Sequence, residues 1–217
     1  MAHDVAFGWC ARPTNGQEFP THMWMDVSGP ARARDDRTIG LAVLNDGKYS
    51  CDVTGSTARL TILRCPPYAY HEPHVFGTRS RYDWVDQGYQ EFTVALRPHV
   101  GDWRDGGIVP AARLLNVPIL PVTMHCHGGD LPPAASLLGL SSLEMELTAL
   151  KPAEDGDGFI VRIADRHGRG GAGEVRWQGG AAFLVSLTPF EVATLRLAQR
   201  DSRWQAQPCD MLERPAN

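Results

Sequence analysis

The sequence predicts an all-β protein, and three observations carry that prediction. Short runs alternate apolar and polar residues with a period of two, as in a strand with one face turned inward. The 22 glycines and 16 prolines, with Asn and Asp, punctuate those runs every few residues. Only one segment has the flanking residues of a helix.

In chain order, the candidate strands are Val5–Ala11, His22–Ser28, Ile39–Leu44, Tyr49–Val53, Leu60–Leu63 and Tyr89–Leu96. In the last, Phe92, Val94 and Leu96 share one face and Glu91, Thr93 and Ala95 the other, a pattern that suits a sheet with one face buried. Between Leu44 and Tyr49 stands Asn45-Asp46-Gly47-Lys48, where Asp-Gly is expected to supply the positive φ angles of a tight hairpin. The helix is expected from Pro110, through Ala111–Leu115, to a stop at Asn116, with Pro118 and Pro121 forbidding continuation.

From Gly128 to Ser142 the composition shifts to that of a linker or long loop, so two units are expected, 1–140 and 141–217. Beyond it Leu143, Met145, Leu147 and Ala149 alternate with polar residues, then Phe159, Val161 and Ile163. Glu174–Trp177, Phe183–Leu187 and Val192–Leu197 are expected to complete a small sandwich. Gly168–Gly173 reads as a hairpin loop and not a phosphate cradle, because a strand follows it where a helix N-terminus would be needed.

Composition narrows the function. Apolar residues make up 43% of the 217, charged residues 21%, and the net charge is −4, with no basic stripe to attract nucleic acid. No apolar run approaches membrane-spanning length, and Met1–Val5 has no basic or apolar leader, so a membrane partner is not expected and the cytoplasm is the expected location. The five cysteines, Cys10, Cys51, Cys65, Cys126 and Cys209, are odd in number and widely spaced, which suits reduced thiols better than a disulfide framework.

Several residue groups could carry chemistry. His125 and His127 would lie on one side of an extended strand, about 6–7 Å apart, and could bind zinc with a third ligand from His99, His71 or His74. Cys126 would point away from both and has no activating helix terminus or glycine elbow. The acids Glu154, Asp155 and Asp157, and the pair Asp83 and Asp86, lie in polar turns where nothing separates their ionisation. Retaining glycoside hydrolysis needs two carboxyl groups about 5–5.5 Å apart, one ionised and one protonated, so neither group suits it. Trp84, Tyr89 and Trp103 lie near Asp- and Gly-rich loops and could stack on sugar rings.

An ordered series of segments carries a resemblance over nearly the whole chain. It runs from Phe7-Gly8 with Arg12-Pro13-Thr14, through Trp24–Ser28, Gly40–Tyr49, Leu60–Arg64 and Gln90–Trp103, to Leu150–Arg162, His167-Gly168-Arg169 and Pro189–Leu197. This series resembles the non-catalytic β region of the α-mannosidases of glycoside hydrolase family 38. Gln90 stands where that family often has His, the insertion Tyr68–Trp84 is longer, and Cys209–Pro215 resembles a segment expected before Pro189.

The resemblance implies part of a large mutarotase-like β-sandwich followed by a small C-terminal β-sandwich. It implies that the zinc, the aspartate nucleophile and the acid/base belong to a catalytic barrel these residues do not include, so this chain holds no cofactor and is inactive alone. By the resemblance, Glu91, His99, Asp102 and Trp103 are the residues expected to contact an α-mannoside or oligosaccharide at the barrel's rim. The expected partner is that barrel, or a second copy of the chain through an uncovered apolar face. A free-standing carbohydrate-binding module and a small metal-binding β protein are the alternatives.

Overall fold

The computed structural model describes residues 1–32, 35–66, 84–126, 128–130 and 132–216, and of Asp35 only the backbone. The insertion at 68–83, His71, His74, Asp83 and His127 lie outside the described residues. The chain divides into two compact units, Met1–Val5 with Cys10–Ile119, and Ala6–Trp9 with Leu120–Asn217. Among the described residues both are all-β but for one helix and one short 3-10 turn.

The first unit contains β1 (Ala2–Val5), the second half of β2 (Gly8–Ala11, whose Gly8 and Trp9 are counted with the second unit), β3 (Phe19–Pro20), β4 (Trp24–Arg32), β5 (Asp35–Asn45), β6 (Ser50–Thr54), β7 (Thr57–Leu60), β8 (Val94–Val100) and the helix α1 (Ile108–Asn116). Its main sheet runs β2-β1-β4-β5-β8 and a smaller one β3-β6-β7. The run expected as one strand over Val5–Ala11 breaks at Phe7, whose φ of 57° is left-handed. The turn after β5 also differs from expectation: neither Asp46 nor Gly47 has positive φ. Instead Asn45 Oδ1 accepts the N–H groups of Gly47 at 3.2 Å and Lys48 at 2.7 Å, a side-chain turn that needs no left-handed residue.

Register decides what each face of the main sheet meets, because residues opposite one another share a face. Asp26↔Ala42 and Ala42↔Arg97, with Trp24↔Leu44 and Gly40↔His99, put Trp24, Asp26, Ala42, Leu44 and His99 on one side. There α1 packs on β4 and β5, and Trp24, Ala42, Trp103, Ile108 and Ala112 are buried together. The Trp24 and Trp103 rings stand 4.8 Å apart. Asn116 ends the helix as expected, its Nδ2 donating to Ala112 O and to Asn45 O, each at 2.9 Å.

The opposite side is covered in part. His3 and Met25 are buried there, with His3 Nδ1 3.7 Å from Cys51 Sγ of β6 and its ring edge-on to Phe19 of β3. Along β5 and β8 the same side carries Ile39, Leu41, Val94, Leu96 and Val100, all exposed, Leu96 to 65% and Val100 to 70%. The alternation in β8 is therefore real, but its large apolar side chains are on the open face, and Ala95 and His99 are the half-buried positions. Gly101 donates inward to Thr38 O at 2.8 Å, so by alternation the Pro98 nitrogen faces the outer edge of β8.

The second unit comprises β9 (Leu138–Leu140), β10 (Met145–Pro152), β11 (Phe159–Asp165), β12 (Gly171–Trp177), β13 (Ala181–Leu187), β14 (Val192–Arg200) and β15 (Arg203–Cys209). Its sheets run β10-β11-β14-β15 and β13-β12-β9. They enclose Met145, Val161, Ile163, Leu195 and Leu197 against Val175, Trp177, Val185 and Leu187, with Phe159, Trp177 and Trp204 stacked alongside. The glycine-rich 168–173 segment is not a hairpin loop: β11 and β12 lie in different sheets, so it carries the chain across. Asp165 holds that crossing, accepting N–H groups from His167, Gly168, Gly170 and Phe190 at 2.8–3.1 Å.

β15 had no counterpart among the expected strands. It pairs with β14 through a two-residue turn, Asp201-Ser202, with both φ positive, as a type I′ hairpin requires. The tail after it folds back on the outer face of the sheet. Arg162 donates to Met211 O at 3.3 Å, Arg196 to Glu213 O at 3.2 Å, and Glu213 receives Lys151 Nζ at 2.6 Å and Glu154 N–H at 2.9 Å. The tail thereby buries Ile160, Ala153 and Cys209.

Candidate functional site

The four residues expected at a sugar-binding rim divide between the two ends of β8, Glu91 before its start and His99, Asp102 and Trp103 at its close, and they stand in two kinds of setting. His99 and Trp103 are interior. His99 Nε2 meets Asp26 Oδ1 at 2.7 Å, its side chain 3% exposed, and Trp103 is 3% exposed against Trp24. Asp102 and Glu91 reach the surface. Asp102 Oδ1 accepts the N–H groups of Arg104 at 2.8 Å and Asp105 at 3.2 Å, and its Oδ2 pairs with the Arg104 guanidinium, which also lies over the Trp103 ring. Partial burial raises the Asp102 carboxyl, but these donors outweigh it and hold the group below the usual carboxylate range.

Glu91 leads into β8 beside the Asn45–Ser50 turn. Next to it, Gln90 Oε1 accepts from Lys48 Nζ at 3.3 Å, Lys48 lies over the Phe92 ring, and Thr93 N–H donates to Asp46 Oδ1 at 2.7 Å. That last bond holds Asp46 ionised below its ordinary range.

A groove of about 430 Å³ opens here, lined by Lys48, Tyr49, Ser50, Thr61, Ile62, Leu63, Arg64, Asp86 and Gln90. Sequence reading missed Tyr49 as a candidate. The signal was present in the aromatic side chain straight after the Asn-Asp-Gly-Lys turn, but Tyr49 was assigned to the strand, and its 62% exposure follows only from the fold.

The acids of the 154–157 turn are ion-paired. Asp155 pairs with Arg196 at 2.7 Å, Asp157 with Arg200, and Glu154 with Lys151. The guanidinium partners hold both aspartates below the usual carboxylate range, which suits neither to the part of a protonated acid. Among the described residues no three His, Cys, Asp or Glu side chains converge to hold a metal ion, and the candidate ligands His71, His74 and His127 lie outside them. Met124, His125 and Cys126 lie in an exposed stretch outside any strand. Among the described residues no helix is long and apolar enough to cross a membrane.

Comparison with known proteins gives one consistent answer. No protein-family model matches the chain. It is 31% identical over 179 residues to α-mannosidase 2C1 of Homo sapiens and 29% identical over 177 residues to that of Mus musculus, covering 76% of this chain in each case. It is 25% identical over 182 residues to α-mannosidase G of Dictyostelium discoideum, again over 76% of the chain. The chain spans only about 15% of the length of these relatives. Over most of its length this protein is thus similar to a segment of these α-mannosidases.

Proposed function

We propose that the chain is a C-terminal, non-catalytic β region of an α-mannosidase, which supports the catalytic barrel and contributes to the rim of its sugar site. The observation that carries this reading is the bare half of the first sheet. Ile39, Leu41, Val94, Leu96 and Val100 form an apolar surface along β5 and β8 that suits packing against further protein, either the barrel-bearing part of the enzyme or a second copy of the chain. The ion-paired acids of the 154–157 turn agree with an absence of hydrolytic chemistry here. The substrate of the assembled enzyme is an α-mannoside, and zinc belongs to the barrel. The five free cysteines fit a reducing, cytoplasmic setting.

At the rim, Glu91 and Asp102 offer carboxylates to sugar hydroxyls, and His99 and Trp103 hold the loop from beneath. The test is an assay of the purified chain with an activated α-mannoside and zinc. No turnover is expected, and clear turnover abolished by a chelator overturns the reading.

A further inference from the structure

We infer that the groove beside Tyr49 is a binding site for a single pyranose ring. Two kinds of residue line the groove. Tyr49, Ile62 and Leu63 are large, apolar and exposed, Tyr49 to 62% and the other two to 49% each. Together they give the concave surface a contiguous apolar part. Lys48, Gln90, Asp86 and Arg64 supply its polar part.

These polar groups are partly fixed in advance. Lys48 is held by Gln90 and by the Phe92 ring. Ser50 and Thr61, on the floor, both donate to Glu18, which they hold below its ordinary carboxylate range. Asp86 has a φ of 57°, a conformation that costs a non-glycine residue energy and that gathers at binding sites.

The charges select the ligand class. The lining sets Lys48 and Arg64 against Asp86, with Glu18 bonded to Ser50 and Thr61 beside it, so the charges are mixed in sign and form no cluster to hold a metal ion or a strong anion. A ligand with one C–H face and a rim of hydroxyls matches both parts. Its C–H face packs on the Tyr49 ring, and its hydroxyls both donate to and accept from the polar part. A volume of about 430 Å³ leaves room for a sugar ring. This site goes beyond the rim residues Glu91 and Asp102. Only the choice of mannose as first probe rests on the proposed function.

The experiment is a nuclear magnetic resonance titration of the intact chain with methyl α-mannoside, and separately with glucoside, galactoside and inorganic phosphate. Weak, saturable shifts are expected for Tyr49, Ile62, Leu63 and Gln90 with at least one pyranoside and not with phosphate. Tyr49→Ala is expected to weaken binding about tenfold and Tyr49→Phe, which keeps the ring, by no more than about twofold. The Tyr49 backbone carbonyl accepts from Thr21 N–H in every variant, so the fold is expected to survive, and an unchanged melting temperature checks it. Leu212→Ala, on the exposed tail of the other unit, is expected to change nothing. Binding of a non-mannose pyranoside alone supports the groove while counting against the mannose assignment. Absence of shifts with every pyranoside, preferential binding of phosphate, or equal affinity in Tyr49→Ala overturns the inference.

Discussion

His99 Nε2 and Asp26 Oδ1 lie 2.7 Å apart with their side chains 3% and 1% exposed, and Gly40 and Gly106 leave the room for it. A Cβ on Gly40 would stand 2.3 Å from His99 Cε1, and one on Gly106 2.6 Å from His99 Cγ. Removing one partner of a buried pair strands the other. His99→Ala is therefore expected to cost about 3–5 kcal/mol in urea unfolding. Gly40→Ala is expected to destabilise as well, because the imidazole must leave Asp26 to make room. A His99→Ala variant as stable as the parent contradicts this role.

Asp165 predicts the acid response of the second unit. Burial pushes its carboxyl up, but four backbone N–H donors hold it below the ordinary range. A lowered folded pKa means that its stabilisation is complete above the unfolded value of about 3.9 and is lost as pH falls through the folded one. The urea midpoint of the parent is expected to fall on acidification below about pH 4. Asp165→Asn is expected to lower stability at neutral pH by about 1–3 kcal/mol and to flatten that acid limb.

Thiol reactivity is expected to divide the cysteines by environment. Cys51 is buried against His3, and desolvation pushes its thiol up to about 12, far from the reactive thiolate at neutral pH. Cys209 is buried under the tail and also raised by desolvation. Cys65 and Cys126 are exposed. A chromogenic disulfide reagent at pH 8 is expected to modify Cys65 and Cys126 quickly, with Cys51 and Cys209 following only after denaturant is added. Mass spectrometry of the labelled peptides reads the result.

The bare face along β5 and β8 predicts association. Leu96→Lys places a charge on an exposed position, so its effect on stability is expected to stay within about 0.5 kcal/mol. Sedimentation at rising concentration is expected to show the parent associating and Leu96→Lys remaining monomeric. A monomeric parent at high concentration removes self-association as the use of this face.

Much of the fold could be read from the sequence wherever local chemistry sufficed. The alternation in 143–149 and 159–163 marked β10 and β11, and Asn116 marked the end of α1. Tertiary choices were hidden. The period of two in β8 gave two faces without saying which is covered, and Trp103, beneath the sheet, took the face bearing His99. β15 escaped notice although Trp204 and Ala206 alternate with Arg203, Gln205 and Gln207, because its hairpin turn has Asp-Ser in left-handed conformations usually left to Asn and Gly. His99, Asp102 and Trp103 lie at one end of β8 and Glu91 before the other, a separation along the strand, and a split between surface and interior, that the residue list alone did not show.

Pro98 sits mid-strand in β8, the last strand of its sheet, with its ring on the outer side. An extended segment arriving there finds a donor missing from the row it must match, and a bulky ring in its path. Runaway growth by lateral stacking, the route to fibrils, is thus obstructed at this border. A companion of the kind proposed would instead lie flat on the leucine- and valine-bearing surface, where side-chain shape rather than backbone pairing decides the fit.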